Sequence, residues 1–166
     1  MQLDQFYKSL FFASAVLLLN IQFVIADDGK VAYPEGFRKW THVKSQIVNE
    51  THPRYESIGG IHHIYANEKA MVGYKTKIFP EGSIIVFDLL ESNIKDGVMN
   101  EGKRRWIGVM EKESNKYKST GGWGYENFSG NSKTNRKVLV NGNITNCFSC
   151  HQPKVASDYV FSSLRD

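Results

Sequence analysis

Phe79-Pro80-Glu81-Gly82-Ser83-Ile84-Ile85-Val86-Phe87-Asp88-Leu89-Leu90 is the stretch whose reading decides the fold. Its first four residues are a turn signal, and the β-branched apolar run behind them reads as a strand over 83–90, the strongest in the chain. Arg104-Arg105-Trp106-Ile107-Gly108-Val109-Met110-Glu111 returns as a second strand after a loop over 91–103 that holds Gly97 and Gly102. On the other side, Gly59-Gly60 opens the alternating Ile61-His62-His63-Ile64-Tyr65-Ala66, a further strand. An aromatic strand bounded by glycines follows over 121–128, and a short edge strand over 137–140. Helical pieces flank these strands. They lie at 37–40, with Phe37 and Trp40 inward, at 68–75, with Ala70, Met71 and Tyr74 on one face, and as a turn at 114–117. No repeat or linker divides the chain, and no set of four long 3.6-residue periods suggests a helix bundle. The expectation is a mainly β, α+β domain: an antiparallel sheet with short flanking helices.

Cys147-Phe148-Ser149-Cys150-His151 then says what the sheet carries. C-x-x-C-H is the attachment signature of a c-type haem. Two thiols three residues apart lie about one helical turn from each other, within reach of two vinyl groups on adjacent pyrroles. The histidine that follows falls under the iron as proximal ligand. A redox C-x-x-C pair would be expected in a thioredoxin-like βαβ setting, and a zinc site would need two further ligands at suitable spacing. Neither pattern is present. The chain holds no other cysteine. Cys147, Cys150 and His151 are therefore read as the cofactor-binding set, with His151 as the metal ligand, on a helix that begins after Asn146.

The N-terminus agrees with the compartment such attachment requires. Lys8 precedes an apolar run from Leu10 to Leu19, and Val24-Ile25-Ala26 offers small residues where a signal peptidase reads. Residues 1–26 are expected to be a signal peptide and 27–166 the mature single-haem domain, periplasmic and without a membrane span after cleavage. The uninterrupted apolar stretch is shorter than the about 20 residues a spanning helix needs. A net charge of +4 without a long basic run argues against a nucleic-acid partner. Lys103-Arg104-Arg105 reads as a solvated strand entrance, with steering of an acidic redox partner as the alternative.

Tyr33-Pro34-Glu35-Gly36-Phe37-Arg38-Lys39-Trp40, Ile64-Tyr65-Ala66-Asn67, Phe79 to Ser83, Glu111-Lys112-Glu113-Ser114, Gly121-Gly122-Trp123-Gly124, Cys147 to His151 and Asp158-Tyr159-Val160-Phe161 follow one another in a typical order. Taken together they make the chain similar to the cytochrome P-460 family over essentially the whole mature region. The resemblance implies a mainly antiparallel sheet, one haem c per subunit held by two thioethers, and a homodimer. In hydroxylamine-oxidising members a strand lysine bonds to the porphyrin edge. The matching position here is Phe87, so the chain most resembles the branch without that lysine, the β-sheet form of cytochrome c prime, where an apolar residue caps the distal side of the haem.

His62 lies close to the position of a distal arginine in the oxidising relatives, and adjacent strand residues point to opposite faces, so one of His62 and His63 faces the haem. Such a histidine could hydrogen-bond a bound diatomic, shuttle a proton or ligate iron, or it could be an ordinary strand histidine. Met71, Met99 and Met110 are further sixth-ligand candidates, with core packing as the alternative. Trp123, Tyr125 and Phe128 would wall the porphyrin or fill a core remote from it. Three functions stand open: binding of nitric oxide or another small nitrogen-oxide ligand, oxidation of hydroxylamine or reduction of a nitrogen oxide or peroxide, and electron transfer to a redox partner protein.

Overall fold

The computed structural model describes residues 30–137 and 144–165. Five strands form one antiparallel meander in the order β1-β2-β3-β4-β5. They are β1 Thr41–Val48, β2 Gly60–Ala66, β3 Ile84–Lys95, β4 Val98–Lys112 and β5 Trp123–Ser129, and the helices are α1 Tyr55–Ile58, α2 Glu68–Thr76 and α3 Ile144–His151. The mainly β expectation and the C-terminal helix carrying the cysteine motif are both met. Asn67 links two elements. Its Oδ1 accepts from Ala70 N at 2.9 Å, capping α2, and from Ile84 N at 3.0 Å, tying that cap to the start of β3.

The register assigns every side chain to a face. Ala66, Ile85, Met110 and Tyr125 are opposite one another across four strands, as are Ile64, Phe87, Gly108 and Asn127. His62, Leu89 and Trp106 make a third rung on the same face. This first face carries a core of Ile64, Ala66, Ile85, Trp123 and Tyr125, packed against Ala70 and Tyr74 of α2 and Val160 of the C-terminal segment, with Phe87, Cys147, Phe148 and Tyr159 partly buried against it. The second face carries Val86, Ile107, Val109 and Phe128 under Val31, Phe37 and Tyr117. Strands β2 to β5 thus each bury both parities, so the sheet is covered on both sides away from the β1 edge.

Several expectations change. The segment over 91–103 is not a loop: β3 and β4 run on through Ser92↔Glu101 and Ile94↔Met99 to a two-residue turn at Asp96-Gly97, both with positive φ. Asp-Gly is the pair that such a hairpin turn favours, and the arm beyond the core stands in water, with Ile94, Val98 and Met99 exposed among its polar residues. β1 was not legible, since Val43 is its only fully buried residue. α3 begins at Ile144, ahead of Asn146. Arg104 and Arg105 are no solvated entrance. Arg104 pairs with the fully buried Asp88 at 2.5 and 3.1 Å, and Arg105 donates to the carbonyls of Gly59 and Glu56, leaving Lys103 exposed. Arg136 bridges Phe128, and Lys137 N donates to Asn127 O at 2.8 Å. The rest of the expected 137–140 strand and the expected signal peptide, 1–26, lie outside the described residues.

Candidate functional site

Cys147, Cys150 and His151 share one side of α3, at i, i+3 and i+4. Both thiols are free and partly buried. Burial pushes the Cys147 thiol up, while Asn127, whose Nδ2 is 4.0 Å from its sulfur, pulls the other way. Arg54, from the β1–β2 connection, donates to Cys150 Sγ.

His151 is held by its surroundings rather than by the helix alone. Its Nδ1 is 2.7 Å from the Tyr159 carbonyl. A carbonyl only accepts, so Nδ1 carries the proton and Nε2 keeps the lone pair. Burial lowers the imidazole's pKa, which keeps that ring neutral. Tyr125 lies against it at 5.1 Å and Phe161 meets it edge-on at 4.8 Å.

The carbonyl is placed by an anchor not foreseen from sequence. Asp158 Oδ1 accepts from Lys112 Nζ at 2.7 Å and Trp123 Nε1 at 3.3 Å, and Oδ2 accepts from Phe79 N at 3.0 Å. The three donors come from β4, β5 and the turn before β3. Asp158 and Tyr159 both have positive φ, 49° and 65°, and this kink turns the Tyr159 carbonyl back toward α3. Lys112 is therefore occupied in the fold, as the Glu111 to Ser114 stretch could not reveal.

Phe87 lies on the first face, two strands from Asn127 and so about 10 Å across the sheet. Its ring stacks on Trp106 at 4.9 Å and meets His62 at 4.4 Å. Gly108 beside it, having no side chain, lets the Trp106 ring close down on the strand. A Cβ there would come within 2.8 Å of Trp106 Cζ3 and 3.5 Å of Phe87 Cβ. His62, 5% exposed, shares the first face, while His63 points to the opposite one. Burial, with His63 and Lys44 nearby, pushes the His62 pKa down to about 4. Its Nε2 is 3.1 Å from Gln46 Oε1, and its Nδ1 has no partner.

The remaining candidates separate cleanly. Met71 and Met110 pack against the first-face core. Met99 sits on the hairpin arm opposite Ile94, 39% exposed, away from any ligand position. Trp123 and Tyr125 belong to the first face, but Phe128 faces the second and cannot wall the same pocket. Trp106, Asn127, Arg54 and the Lys112–Asp158 anchor are the participants that motif reading missed.

A thiol pair, an imidazole with one bare nitrogen and two buried polar atoms without partners, His62 Nδ1 and Tyr125 Oη, share one apolar face. That donor set fits a large, flat, mainly apolar group with polar edges. The family model for Cytochrome P460 matches residues 34–162. The chain belongs to the Cytochrome P460 family. It is thus a haem-binding cytochrome, and the resemblance read from its motifs is met. Among curated proteins, none matches the chain. Among the described residues no helix is long and apolar enough to cross a membrane.

Proposed function

We propose that this cytochrome is an exported, single-haem c-type protein whose apolar distal side binds nitric oxide or a similar small diatomic. Cys147 and Cys150 would form the two thioethers and His151 Nε2 would be the proximal ligand. When bound, the haem supplies an iron able to take a neutral diatomic on its open side. The chain's part is to present Nε2, to exclude bulk water with Phe87 and Trp106, and to offer no strong proton donor beside them. The observation that carries this reading is His151: its Nδ1 is spent on the Tyr159 carbonyl and its Nε2 is free within the cluster that holds Cys147 and Phe87.

The oxidoreductase reading has one observation of its own, the free lone pair of His62 Nδ1. A group whose pKa is near 4 is a poor general base at neutral pH, which favours ligand binding over proton abstraction. Phe87 cannot bond to a porphyrin, and Lys44, opposite Ile64 at the sheet edge, is the lysine to watch in peptide mapping. Haem staining on denaturing gels should follow the chain, and a Cys147→Ala, Cys150→Ala double variant that stained equally would end the c-type reading. Phe87→Ala should speed carbon monoxide association to the ferrous protein. Rapid multi-turnover hydroxylamine oxidation, lost in His62→Ala, would favour the enzyme. A six-coordinate ferrous spectrum would favour the electron carrier, with Met71 or Met110 as ligand. Export and a homodimer complete the proposal, to be read from the mature N-terminus and from solution mass.

A further inference from the structure

The second face of the sheet holds a cluster that the haem site does not use. His42 Nε2 is 2.9 Å from Ser45 Oγ, and the same oxygen is 2.6 Å from His63 Nδ1. Behind His63, its Nε2 is 2.5 Å from Glu101 Oε1. The two imidazole rings are 5.6 Å apart at 60°, and both lie against Tyr65, at 5.5 and 6.4 Å. In a regular strand His42 and Ser45, three residues apart, would point to opposite faces. A bulge between His42 and Lys44 adds one residue and brings both to the face of His63.

We propose that His42 and His63 form a binding site for a divalent transition metal ion, zinc or copper(II), with Ser45 beside the ion and Glu101 orienting His63. The Glu101 carboxylate accepts from Nε2 of His63, so Nδ1 holds the lone pair that points at Ser45. A carboxylate behind a histidine is the usual support of a ligating imidazole. His42 supplies its Nε2 lone pair once its proton sits on Nδ1. Both nitrogens converge on the Ser45 oxygen, at 2.9 and 2.6 Å, so the ion would take that place as the Ser45 hydroxyl turns to its side, with zinc–nitrogen bonds of about 2.0–2.1 Å. His42 and Ser45 are exposed on the edge strand, which permits that movement. Imidazole suits zinc and copper, whereas magnesium and calcium prefer oxygen. Glu101 is engaged behind His63, and among the described residues no three or more of His, Cys, Asp and Glu are arranged to hold a metal. The site is therefore open: two imidazoles, with Ser45 and water in the remaining positions, which suits an exchangeable ion rather than a structural one.

The test is titration of the purified holoprotein with zinc chloride against a colorimetric zinc indicator. Wild type should take up one zinc per chain. His42→Ala and His63→Ala should each weaken binding at least about tenfold, and Glu101→Gln about tenfold, the lower end of the effect of removing such support. His52→Ala, an exposed histidine in the β1–β2 connection, should bind as wild type. Copper(II) in place of zinc should give a paramagnetic resonance spectrum with two nitrogen ligands, lost in either ligand variant. The visible haem spectrum should stay unchanged throughout, which separates this site from the haem reading. No zinc uptake by wild type, or undiminished uptake by both ligand variants, would overturn the proposal. Undiminished uptake by Glu101→Gln alone would overturn the orienting role.

Discussion

Lowering the pH from 7 to 5 should cost the protein about 2 kcal/mol of stability through His62 alone. The folded-state pKa of this side chain is depressed from 6.5 to about 4, chiefly by burial, while the unfolded chain restores the ordinary value. Between those values the unfolded state binds the extra proton. Stability is therefore fully present above about pH 6.5 and is lost as the pH falls toward 4. At about 1.4 kcal/mol per pKa unit the whole effect is about 3 kcal/mol, of which about 2 is expressed by pH 5. Other groups also titrate over this range, so the measurement must isolate His62. Replacing it with leucine keeps an apolar side chain against Phe87 and removes the partnerless Nδ1. Urea unfolding of wild type and His62→Leu at pH 7, 6 and 5, followed by tryptophan fluorescence, gives the difference directly. The wild type should lose about 2 kcal/mol more than the variant over that range. Equal losses would refute the reasoning and mean that Nδ1 finds a partner once the haem is in place.

Two further outcomes follow from packing. Asp158→Asn leaves the Lys112 ammonium buried without its counter-charge, so it should cost about 3 kcal/mol. It should also shift the iron–histidine vibration, because the Tyr159 carbonyl loses its anchor; an unchanged vibration would mean that the carbonyl is held by other groups. Gly108→Ala should destabilise by about 1–3 kcal/mol as its Cβ meets Trp106, and calorimetry that found it neutral would show that the Phe87–Trp106 stack yields freely.

The strands legible in the sequence were those with a core to face. Over 84–90 apolar residues fill both faces because both are covered. The arm beyond it, and β1, carry the backbone ladder without the side-chain signal, so only pairing identifies them. Parity alone could have separated Phe128 from Trp123 and Tyr125, since successive strand residues alternate. Which of His62 and His63 faces Phe87 needed the register, Ile64 against Phe87 and His62 against Leu89. The C-x-x-C-H motif and its helix were legible because that spacing is local, within one helical turn. The anchor was not, for Lys112 and Asp158 are 46 positions apart and meet only in the fold.

That anchor also explains a costly piece of backbone. Two consecutive non-glycine residues, Asp158 and Tyr159, occupy the left-handed region, which disfavours residues with a Cβ by roughly 1–2 kcal/mol each. Aspartate tolerates it better than most, and its three hydrogen bonds give the chain a reason to stay there. Tyr159 has no such excuse of residue type. Its ring packs on Phe148 at 5.3 Å and lies over Gly121, where a Cβ would come within 2.2 Å of the ring. Side-chain packing on two sides therefore holds a conformation that the backbone would leave. What the conformation achieves is the direction of one carbonyl, and that carbonyl decides which nitrogen of His151 is bare. With His151 as the proposed iron ligand, a strained turn that sets the orientation of its ring serves the site rather than the sheet. A relaxed turn would point the Tyr159 carbonyl elsewhere and take from His151 the acceptor that fixes its Nδ1 proton.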